Sequence, residues 1–147
     1  NFSTMKMTTV MDMVKSIFAA INRVGWIIAG FSLLIGGFGI ANIMFVSVKE
    51  RTNIIGIEKA LGAKKYVILT QFLTEAVLLA IAGAIVGILL VAVILLVAPI
   101  PPEYEVTLTV GNILAGVLIA SIIGILSGMI PAHAAANLNP VDAINSK

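Results

Sequence analysis

Residues 26–48 read WIIAGFSLLIGGFGIANIMFVSV, and no charged side chain occurs between Arg23 and Lys49. A helix rises ~1.5 Å per residue, so about 20 apolar residues cross a hydrocarbon core of ~30 Å. A helix on a water-soluble protein must turn one face to solvent and rarely stays uncharged for so long. The pattern recurs twice: no charge lies between Glu75 and Glu103, and none between Glu105 and Asp142. The sequence therefore predicts an all-α membrane protein with three transmembrane helices, at 26–48, 73–98 and 110–130.

Composition agrees. Of 147 residues, 60% are hydrophobic and 11% charged, where soluble domains carry about a quarter charged. The net charge of +2 comes with no basic face outside one loop, which argues against nucleic acid as a partner. Cysteine is absent, so disulfides and thiolate metal sites are excluded. The one histidine, His133, suits an interfacial hydrogen bond rather than a metal. There is no nucleophile–base–acid set, and Gly56 to Lys65 lacks the spacing and the Gly-Lys-Ser/Thr of a phosphate loop. The expectation is a chain that is not an enzyme, with no catalytic residue, cofactor or metal of its own. It begins at Asn1 without a signal peptide, as a piece of a longer polypeptide or a processed chain would.

Upstream of the first span, residues 1–25 are mixed in character. Val10, Val14, Ile17, Ile21 and Val24 recur at helical spacing with Phe18 beside them, while Lys6, Asp12, Lys15, Ser16, Asn22 and Arg23 fill other positions. This amphipathic helix either projects from the membrane as an extracytoplasmic stalk or lies flat in the interface. No proline separates it from the span, which favours the stalk. Trp26 stands where an interfacial aromatic belongs. Ser32, Gly36, Gly37 and Gly39 allow close helix approach and bending. Asn42 is expected to bond to a neighbouring helix.

Downstream, the loop 49–65 holds Lys49, Arg51, Lys59, Lys64 and Lys65, whereas the connection 99–109 holds no lysine or arginine. Positive loops stay cytoplasmic. This places 49–65 and the tail 131–147 in the cytoplasm, and the stalk 1–25 and the acidic loop with Glu103 and Glu105 outside. Lys6, Lys15 and Arg23 oppose this orientation, but six positive charges inside against three outside favour it. Pro99, Pro101 and Pro102 end the second span, and Pro131 marks the exit of the third. Glu75 lies at the cytoplasmic start of the second span, where a helix N-terminus would favour it; it serves as an anchor or braces the loop.

Small residues line two spans. Gly116, Ala120, Gly124 and Gly128 follow strict i+4 spacing in the third; the second has Gly83 and Gly87, with Ala76, Ala80 and Ala84 on an adjacent row. Together with Gly36 they are candidates for helix packing, because helices in lipid associate where backbones can approach. The rows serve either the packing of the three helices or a dimer.

The loop 49–65 is too long for a simple turn. Ile54, Ile57 and Leu61 share a helical face, Gly62 provides a stop, and Lys59, Lys64 and Lys65 suit the C-terminal end of a helix. A short amphipathic helix results. From the residues alone it anchors the loop among lipid headgroups or couples to a partner.

The wording of the loop is more specific. Val46-Ser47-Val48-Lys49-Glu50-Arg51-Thr52, then Ile55-Gly56-Ile57, Lys59-Ala60-Leu61-Gly62-Ala63 and Gln71-Phe72-Leu73-Thr74-Glu75-Ala76 resemble the FtsX-like permease family, which includes MacB-type exporters and lipoprotein-release permeases. Pro131-Ala132, Ala135-Ala136, Leu138, Asn139-Pro140-Val141 and Asp142-Ala143-Ile144 resemble its C-terminal signature. The resemblance covers roughly 20–147. It implies the C-terminal transmembrane module of an ABC transporter permease in the bacterial cytoplasmic (inner) membrane.

In such a permease the loop is a coupling helix, here Arg51 to Ala63, seated on an ABC ATPase that holds the ATP and Mg. Ile54, Ile57 and Leu61 would be its anchors and Arg51, Glu58 and Lys59 its rim; Gly56 would permit close approach to the ATPase or a bend. Two permease copies pair, as a homodimer or related heterodimer, with an extracytoplasmic adaptor and an outer-membrane channel as further partners. ATPase motion passes up the stalks to extracytoplasmic domains to drive export or lipoprotein or peptide release, a scheme called mechanotransmission. The alternative is an FtsX-like scaffold regulating an extracytoplasmic cell-wall enzyme. A third reading, a small holin-like pore, is disfavoured by the loop motif.

Overall fold

The computed structural model describes residues 2–97 and 108–139. Four helices lie among them: α1 (Phe2–Glu50), α2 (Thr52–Ala60), α3 (Lys65–Val97) and α4 (Val110–Asn137). The expected proline stop at Pro99 to Pro102, the acidic pair Glu103 and Glu105, and the signature residues from Pro140 onward lie outside the described residues. α1 from Met7, α3 and α4 are each long and apolar enough to cross a membrane. All three helices run beyond the spans expected from the sequence. At 33 residues, α3 is about 50 Å long, so the polar lead-in from Lys65 to Gln71 is helical as well.

The chain divides into two compact units, residues 1–36 and 37–147. The first is helix α1 as far as Gly36. Its apolar row, Val10, Val14, Ile17, Phe18, Ile21 and Val24, is exposed. Ser16 Oγ donates back to the Met13 carbonyl at 2.7 Å, so its hydroxyl is satisfied within the helix.

The second unit holds the core. Met44 and Val48 of α1, Ile55 of α2, Ile68, Phe72 and Ala76 of α3, and Ala132 and Ala135 of α4 form one buried cluster. The cluster lies where all four helices converge, beside the basic loop. Away from it, the large apolar residues of α3 and α4 are exposed, Leu89, Ile94, Leu96, Leu118 and Leu126 among them. Water would penalise such a surface and hydrocarbon does not.

α3 and α4 pair through small residues. A Cβ on Gly124 would fall 2.8 Å from Ala80 Cβ and 3.0 Å from Val77 Cα, and one on Gly128 would overlap Ala76 Cβ. Glycine at these two positions sets how closely the helices approach. Pro131 does not end α4, which continues to Asn137. Its ring removes the bond that residue 131 would donate to the Ser127 carbonyl, but it is fully buried and its packing offsets the loss.

Candidate functional site

The site is α2 and its mounting. α1 and α2 meet at one residue, Arg51, whose N–H donates to Ser47 O and whose carbonyl accepts from Ile55 N–H, both at 3.0 Å. The end of α1 leaves carbonyls without helical partners. Thr52 supplies the remedy: its hydroxyl lies 2.9 Å from both the Val48 and Lys49 carbonyls. At the other end Gly62 adopts φ +99°, Gly62 N–H donates to Lys59 O at 3.0 Å and Ala63 N–H to Glu58 O at 2.9 Å. This is a Schellman closure, and Gly62 is the stop that its position promised.

α2 has two faces. Ile54, Ile57 and Leu61 are 55%, 48% and 84% exposed, while Ile55 is 2% exposed in the core. Gly56 is also buried, so it is not available for close approach by a partner. The helix runs through it without a break.

Two of the charges expected at the rim, Arg51 and Lys59, are engaged within the chain. Arg51 Nη1 meets Glu75 Oε2 of α3 at 3.4 Å. Glu75 lies well inside α3, which begins at Lys65. The helix-terminus argument for it therefore fails, since that field fades within the first turn. Glu75 instead meets Arg51 at the start of α2. Lys59 Nζ donates to the Ala136 and Leu138 carbonyls at 2.6 Å each, and Lys65 Nζ donates to Asn137 Oδ1 at 3.2 Å. Lys59 stands in the last turn of α2, as expected, and its ammonium also reaches the C-terminus of α4, where unpaired carbonyls and the negative end of the helix dipole attract it. Burial, and then the nearby charge of Lys65, lower the Lys59 pKa from its ordinary 10.5. Glu58 is partly buried, and Lys64 is exposed.

Other residues singled out in the sequence stand apart from this mounting. Gly36, Gly83, Gly87 and Gly116 face open space, where a Cβ would meet no atom within 4 Å, and it is Gly37 that approaches α4, at Ser127 and Ile123. Ala120 is partly buried; Asn42 and His133 are exposed. Among the described residues no acidic or histidine cluster could hold a metal. Sequence reasoning missed the inward row of α2. Its only signal was the i, i+4, i+8 spacing of Arg51, Ile55 and Lys59.

The FtsX-like permease C-terminal family matches residues 26–140. The chain is 40% identical over 145 residues to the macrolide export ATP-binding/permease protein MacB of Chromobacterium violaceum, covering 98% of this chain and 22% of that protein. It is 40% identical over 148 residues to the ABC transporter permease YknZ of Bacillus subtilis, covering 98% and 36%. It is 45% identical over 118 residues to MacB of Neisseria gonorrhoeae, covering 80% and 18%. The chain thus spans well under half the length of each of these relatives.

Proposed function

The chain belongs to the FtsX-like permease family, and from that membership we propose that it is the transmembrane part of an ABC transporter permease whose α2 seats on an ATPase. The observation that carries this assignment is the exposed apolar side of α2, Ile54, Ile57 and Leu61, on a helix fastened from behind to α3 and α4. An element that transmits force needs an apolar surface to enter a groove and a rigid attachment to what it moves. Burying a whole such side chain contributes about 1.5–3 kcal/mol, and docking gains the part of it that each anchor still exposes. Glu58 stands at the edge of the seat. ATP and Mg bind in the ATPase, fused or separate, and two permease copies pair.

ATP-driven closure shifts α2, and the shift travels along α1 through the stalk at 1–25 to an extracytoplasmic domain. There it drives export, as the macrolide export relatives suggest, or release of a lipoprotein or peptide. The loop 49–65 and the C-terminal tail face the cytoplasm of a bacterial inner membrane. A photo-crosslinker in place of Leu61 in the full protein is expected to capture an ATPase domain. Capture of lipid alone by a folded, membrane-inserted protein would overturn the assignment.

A further inference from the structure

Lys59 lies on the opposite side of α2 from Ile57, about 200° around the helix. Its ammonium makes two hydrogen bonds, to Ala136 O and Leu138 O at 2.6 Å. These carbonyls belong to the last turn and cap of α4, where no helical N–H remains to pair with them. Around the junction Ile55, Ala132, Ala135 and Ala136 are buried. A lysine so engaged is not presented to an outside partner. By contrast, the Arg51–Glu75 pair is 48% and 32% exposed, and screening leaves such a pair little strength. The firmer attachment of α2 is at its Lys59 end.

We propose that Lys59 is a positioning residue that latches α2 to the end of α4, so that a displacement of α2 moves α4 as well as α1. This rests on the reading of α2 as the ATPase seat. Lys65, bonded to Asn137 Oδ1 at 3.2 Å, steadies the same turn from the start of α3. The three helices then respond as one body.

The test uses the full transporter in nanodiscs, with Lys59→Met, which keeps length and loses the donor, and Lys59→Arg, which keeps the donors. In Lys59→Met, which removes both hydrogen bonds, backbone hydrogen exchange across 132–138 is expected to quicken at least about tenfold, the change that loss of even one charge-assisted hydrogen bond brings. ATP-driven output falls severalfold while crosslinking from position 61 to the ATPase persists. Lys59→Arg retains most of both protection and output. Unchanged exchange in Lys59→Met would overturn the latch, and so would quickened exchange with undiminished output. Loss of the crosslink with exchange intact would make Lys59 a direct ATPase contact and also overturn it. Absence of the crosslink in the unmutated protein strikes at the seat instead, and leaves the exchange comparison to be judged by itself. If Lys59→Met does not accumulate in the membrane, Lys59→Leu, which also lacks a donor, takes its place, and the same outcomes support or overturn the latch.

Discussion

Ile55 is buried in the core, while Ile54 and Ile57, its near neighbours in sequence, are exposed on another side of α2. Substitutions at these positions separate two kinds of damage. Ile55→Ala removes packing from a closed cluster and is expected to destabilise the protein by about 2–5 kcal/mol, read as a lowered Tm in detergent. Ile57→Asp or Leu61→Asp places a carboxylate on an exposed surface, where stability changes by no more than about 0.5 kcal/mol. In the assembled transporter that carboxylate must enter an apolar groove without a partner, which is unfavourable. ATP hydrolysis is expected to continue in both variants and output to cease; normal export by both would refute the seat. The exposed row was legible because its three apolar residues recur at i, i+3 and i+7. The row turned toward α3 and α4 was not. It alternates Ile55 with two cations, and a rule that sorts residues into apolar and polar assigns Arg51 and Lys59 to solvent, where tertiary carbonyls and carboxylates outcompete it.

Helix ends and helix contacts obey different rules, and the elements show both. Gly62 sits at φ +99° in otherwise open space. Gly62→Ala therefore carries only the left-handed backbone penalty, about 1–2 kcal/mol, and is expected to loosen the α2–α3 joint, measured as faster amide exchange at 62–63. Between α3 and α4 the limit is volume. Gly128→Val forces its side chain into Ala76 and is expected to cost about 1–3 kcal/mol or more. Gly83→Val meets nothing within the chain and is expected to leave the Tm unchanged. The glycine spacing in the third span was visible in the sequence, but only Gly124 and Gly128 among its glycines make close contacts. Spacing marks a face, and which stretch of the face is used depends on where the helices cross. Pro131 shows the same dependence on tertiary context. Proline disfavours a helix interior through a lost hydrogen bond and a clash, yet a buried ring among alanines supplies packing that local rules do not count.

Across the whole molecule, three long apolar helices and a single basic loop favour one arrangement relative to a bilayer. A cysteine at Lys64 in the full protein is expected to react with a membrane-impermeant maleimide only from the cytoplasmic side; labelling from outside would invert every element of that orientation. The three spans were legible because the absence of charge over so many residues has few explanations besides hydrocarbon. The mounting of α2 depends on contacts between residues 24 to 79 positions apart, which no local pattern encodes. One feature of that mounting constrains how such a chain can vary. Because Arg51 alone separates α1 from α2, the two helices are geared together like successive threads of a screw. Inserting one residue there would advance α2 by about 100° and carry Ile55 out of its socket. The number of residues between these helices thus matters to the seating of Ile55 as much as their identity does.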